Sequence, residues 1–151
     1  ARERIAREWE TIRHMELVAG IDITADHLIV RTKPLVIEEP ERGIGSVDIG
    51  PWEIRIPRTG TDVRMLPLDP ELRLLQWPHP HIQRSGDVCW GSAKAELTRA
   101  LTDGDYDIAV QYFLALLHTG LGQRSDWDLH QNILNEIRAV RTRPKRGPHG
   151  R

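Results

Sequence analysis

The sequence predicts an α+β domain. Its opening segment is amphipathic with helical spacing, and short β-branched runs cut by proline and glycine follow it. Beyond the single cysteine the pattern returns to helical periodicity around a nearly all-apolar segment.

In order, Ala1 to about Leu17 reads as a helix. Ile5, Trp9, Ile12 and Met15 recur on one side, while Arg2, Arg4, Arg7, Arg13 and several glutamates fill the others. Gly20 is its expected stop. Such a helix suits either plain packing on a core or docking of a partner on its basic face. Strand-like runs come next at His27–Thr32, Leu35–Ile37, Val47–Ile49, Trp52–Ile56 and Val63–Leu66. Lys33-Pro34 interrupts the first pair, and Glu38–Ser46 reads as a polar loop. Short connections favour a four-stranded antiparallel meander over residues 28–66, packed against a later helix.

Pro67 to Trp77 shows no regular pattern. A short helix is expected from Ser92 to Leu101, closed by Thr102-Asp103-Gly104, and a second from Tyr106 to His118 with Asp105 as its cap. Ile108, Val110, Tyr112, Phe113, Leu114, Leu116 and Leu117 make that second helix apolar nearly all round, so it is expected to be the buried central one. Gly120 and Gly122 break it. Ser125 with Asp128 resembles a capping pair for a last helix through Val140. Residues 141–151 carry Arg141, Arg143, Lys145, Arg146 and Arg151 without an acid, and read as a disordered basic tail behind one domain at 1–140.

A chain of 151 residues with 39% hydrophobic and 28% charged residues suits one globular domain. The net charge of −1 gives no general signal for nucleic acid, although the tail could hold phosphates non-specifically. One cysteine excludes an internal disulfide and fits a reducing, cytoplasmic setting. No apolar run approaches the roughly 20 residues that span a bilayer, and no signal peptide is read at the start. The chain opens on Ala1 rather than Met, as either a trimmed chain or a domain of a longer protein does.

The stretch from Pro78 to Gly91 carries the chemistry. It holds Cys89 eight residues after a His79-Pro80-His81 segment, with Ser85-Gly86 between them. The prolines bias their surroundings toward extended chain, and Gly86 can take the positive φ of a tight reversal. Such a turn would fold Cys89 back toward the histidines, and a thiol beside imidazoles is the minimal kit for nucleophilic chemistry. A lone cysteine is as readily a small buried hydrophobe, and the histidines as readily anchor a loop.

This stretch resembles the active site of ubiquitin-conjugating enzymes, where His-Pro-Asn precedes the thioester-forming cysteine. The spacing from the third residue to the cysteine is that from His81 to Cys89, and a polar-Gly turn lies between. Arg4–Trp9 is similar to that family's opening helix, and the order of elements over residues 1–140 is that of its α+β fold. His81 stands where the family has asparagine. The family's proline-rich turn is missing and its C-terminal helix pair is reduced to one. The match is closer to divergent, truncated bacterial members found in ubiquitin-like conjugation operons.

The resemblance implies that Cys89 accepts the acyl group of a ubiquitin-like protein from an activating enzyme and passes it to an amine, with a ligase or target protein as further partner. His79 would hold the loop and Pro80 its path. His81 would replace the asparagine as donor, or mark a catalytically silent adaptor. Gln83 would flank the acceptor lysine, and Asp126 or Asp128 would steer or deprotonate it. No cofactor is implied. Zinc on His79, His81 and Cys89 would lack a local fourth ligand, since His14, His27, His118 and His130 are scattered, so no metal is expected.

Overall fold

A computed structural model describes residues 2–144, with side chains from residue 6 onward. The chain is α+β. Helix α1 (Arg2–Arg13) precedes strands β1 (Val18–Ile23), β2 (His27–Thr32), β3 (Leu35–Glu39), β4 (Gly45–Gly50), β5 (Trp52–Pro57) and β6 (Arg64–Pro67). Helices α2 (Lys94–Asp103), α3 (Tyr106–Leu117) and α4 (Trp127–Thr142) follow the cysteine. No helix among the described residues is long and apolar enough to cross a membrane.

An antiparallel sheet in the order β1-β2-β5-β6 carries the core. Leu28 and Val30 of β2 face Ile56 and Ile54 of β5, and Ile54 faces Met65 of β6. All five are buried, because the period-two alternation puts them on one face. The expected meander is therefore corrected in its connections. β3 and β4 form a hairpin of their own, so β2 pairs with β5 rather than with β3. Pro34 offers no N–H to a ladder, which lets the chain leave the sheet. Gly50, at φ +66°, returns it to β5. The loop expected over 38–46 is shortened by the same hairpin to the turn between Glu39 and Gly45.

The opening helix ends at Arg13, short of Leu17, and Gly20 lies inside a strand rather than stopping a helix. A Cβ on Gly20 would stand 2.8 Å from Nη2 of Arg31, so the glycine leaves room for that guanidinium on the sheet. Helix α3 buries Ala109, Val110, Phe113, Leu114 and Leu117 between its neighbours α1 and α2. It is not enclosed all round, as its apolar composition suggested. Ile108 and Tyr112 lie on one open stripe, 45% and 39% exposed.

Helix α4 is clamped to the β3–β4 hairpin by polar ties. Arg138 donates to the carbonyls of Ile44 and Ser46, and Arg42 pairs with Asp128. The expected Ser125–Asp128 capping pair does not form, since the start of α4 has no side-chain cap and the Asp128 carboxylate is engaged by Arg42. The helix also continues past Val140. Arg141 sits inside it and bridges Asp69 (2.7 Å) and Asp48 (2.8 Å). Arg141 and Thr142 thus belong to the folded body, which corrects the start of the tail expected over 141–151, and residues 145–151 lie outside the described residues.

Candidate functional site

Pro78, His79 and Pro80 are buried, and the irregular segment hangs on His79. The His79 ring Nε2 lies 2.9 Å from the carbonyl oxygen of Leu117, and its Nδ1 accepts the His81 amide at 3.1 Å. These partners fix the neutral tautomer with the proton on Nε2. The ring meets Trp52 of β5 edge-on at 5.8 Å, so one side chain ties the segment to both the sheet and the end of α3. Full burial, reinforced by the neighbouring imidazoles, lowers its pKa from 6.5 to about 3.

A compact turn follows. Ile82 is fully buried and bridges both His79 and Val88. The Gln83 amide donates to Asp87 and the Gly86 amide to Gln83, with Gly86 at φ +90°. The Met65 amide donates to the Gly86 carbonyl, hooking the turn onto β6, and Arg64 pairs with Asp87 at 3.1 Å. The Cys89 amide then donates to the His81 carbonyl at 2.9 Å. The reversal expected at Ser85-Gly86 therefore brings the cysteine back beside the second histidine. Cys89 is exposed, and Trp90 anchors the chain behind it against Phe113, with ring centroids 5.3 Å apart.

Opposite this turn runs a strap, residues 119–123, whose backbone at 120–122 is tied to side chains elsewhere by four hydrogen bonds. Glu39 accepts the Leu121 amide, and the Trp127 indole N–H donates to the Gly122 carbonyl. The other two involve histidines. His81 Nε2–H donates to the Gly120 carbonyl at 3.0 Å, and the Gly122 amide donates to His130 Nδ1 at 3.0 Å. The two rings meet at 4.6 Å in a T-shape. Burial lowers the His81 pKa to about 4, helped by His130, while the Gly120 carbonyl and Asp126 oppose it. Burial likewise lowers that of His130, again against Asp126. Both rings are neutral near pH 7, and the strap gives both the Nε2–H tautomer while engaging opposite ring nitrogens. His81 keeps its proton on Nε2 and a lone pair on Nδ1; His130 keeps a lone pair on Nδ1 and its proton on Nε2.

Between turn and strap lies an open cleft of about 560 Å³, lined among others by Trp77, His81, Cys89, Asp126, Leu129 and His130. It joins an accessible sulfur, neutral imidazoles, a carboxylate and apolar walls. That set suits acyl transfer through a thiol.

Of the residues expected at the site, Cys89, His81 and Asp126 line this cleft, and His79 lies beneath it as a structural tie. Gln83 is exposed outside the cleft lining, and Asp128 is paired with Arg42. A metal on His79 would have to displace hydrogen bonds at both of its ring nitrogens. His130, the strap glycines and Trp127 were not singled out for the site from sequence. Comparison with protein-family models, curated proteins and solved structures gave no match.

Proposed function

We propose that this chain is a ubiquitin-conjugating-like acyl carrier. Cys89 would take the C-terminal acyl group of a ubiquitin-like protein from an activating enzyme and release it to an amine on a target, with or without a ligase. The observation that carries this reading is the exposed Cys89 held against His81 at the mouth of the cleft. The helix–sheet–cysteine–helix order agrees with that fold, and the thiol suits a reducing, cytoplasmic compartment. Exchange between thioesters is nearly isoenergetic, so an exposed thiol needs no special activation to be charged.

One observation favours a second reading, a silent adaptor of the same fold. The N–H of His81 is engaged by Gly120, so that ring does not offer the donor that the family's asparagine would. Charging decides between them. With an activating enzyme, ATP and a ubiquitin-like protein, the carrier gives a heavier band that thiol reductant removes. Cys89→Ser converts it to a reductant-resistant ester and Cys89→Ala abolishes it. An active activating enzyme that never charges the wild type establishes the adaptor.

A further inference from the structure

Attack of an amine on a thioester needs a donor for the tetrahedral oxyanion and an acceptor for the ammonium proton. Both are present on the wall of the cleft. Among the described residues the buried side-chain nitrogens and oxygens without a partner are Trp9 Nε1 and Arg141 Nε alone. His81 Nδ1 and His130 Nε2, which carry no protein hydrogen bond, therefore reach solvent, and the cleft is the opening both rings line. The strap leaves a lone pair on the first and a proton on the second.

Resting on the thioester reading of Cys89, we propose that His130 is the oxyanion donor and His81 the proton acceptor in aminolysis of the Cys89 thioester. The amine nitrogen bonds to the carbonyl carbon, and the oxyanion accepts from His130 Nε2–H. The ammonium gives one proton to His81 Nδ1. The C–S bond breaks with its electron pair on sulfur, and the thiolate recovers the proton from the imidazolium. Thioester and amine become amide and thiol, and both rings return to their starting state. Burial keeps them neutral beforehand, while the charge of Asp126 favours the imidazolium once it forms.

The test loads Cys89 of the full chain chemically, by exchange with an acetyl-Gly-Gly thioester, and follows its consumption by free lysine by intact mass. His130→Asn keeps an acceptor for the Gly122 amide but removes the donor, and slows aminolysis on the order of a hundredfold. His130→Gln places an amide N–H near the Nε2 position and retains most of the rate. The isosteric His130→Glu, an acceptor in place of that donor, falls with His130→Asn and serves alone if His130→Asn does not fold. Wild-type aminolysis in His130→Asn or His130→Glu overturns the assignment, as does equal slowing in His130→Gln. Loading needs no protein partner, so failure of the carrier reading, seen as absent charging by ubiquitin-like proteins, is a separate result.

Discussion

The amide of Cys89 donates to the carbonyl of His81 across 2.9 Å, and this single bond returns the thiol to the ring it follows in sequence. It depends on the turn at Gly86, whose φ of +90° no other residue adopts without strain. A Cβ there would also stand 3.2 Å from Met65 O, Arg64 Cβ and Leu66 Cδ2. Gly86→Ala is expected to lose about 1–3 kcal/mol in urea unfolding. A variant as stable as the parent would mean the turn is not built on that glycine.

Acid should unfold this protein through its histidines. His79 and His81 have folded values of about 3 and 4 against 6.5, and His130 is lowered in the same direction. The unfolded chain takes up protons first as pH falls below 6.5, while the folded rings stay neutral. Stability is therefore complete above that value and lost as pH falls toward 3, by up to ~1.4 kcal/mol per pH unit for His79 alone. The rings repel one another when charged, so they titrate as a group rather than independently. Urea midpoints that stay level between about pH 7 and about pH 5 would contradict this burial of neutral imidazole.

Arg141 is expected to be a fold anchor. Its side chain is 17% exposed and that of Asp69 13%. Removing the cation leaves a largely buried carboxylate unpaired, at a cost of about 3 kcal/mol. Asp69 also accepts the Glu71 amide, so the loss should loosen the segment leading to His79. Arg141→Met and truncation after Val140 should lower the melting temperature alike. Arg141→Lys should not restore it, because an ammonium cannot fork between Asp69 and Asp48. An unchanged melting temperature in Arg141→Met would return that residue to the tail.

Sequence patterning disclosed what neighbouring residues decide. Alternation at Trp52, Ile54 and Ile56 marked β5, and Ser85-Gly86 marked the turn, because both are short-range signals. It did not disclose which strand β2 would pair with, since alternation names a face and not a partner. Gly20 was misread because a glycine that leaves room for Arg31 looks the same in sequence as one that ends a helix. Arg141 was hidden in a run of like charges, its two carboxylates lying far back in the chain. His130 looked like one scattered histidine among several. Only the folded strap sets it against His81.

That strap makes the last prediction. Gly122 is exposed and has no positive φ, so its backbone conformation does not itself require glycine. Its missing side chain matters for another reason: a Cβ would lie 2.8 Å from Cε1 of His81 and 3.0 Å from Cε1 of His130. Gly122→Ala must therefore spread the two rings or lift the strap. Because Gly122 itself is exposed and the strap can lift toward solvent, the change in unfolding free energy should stay within about 0.5 kcal/mol. A misplacement near 1 Å at reacting groups can cost on the order of a hundredfold in rate. Aminolysis of the chemically loaded Cys89 thioester should thus fall at least about tenfold, with melting nearly unchanged. Loss of both together would show that Gly122 serves packing alone. Retention of both would show that the spacing of His81 and His130 does not matter to transfer.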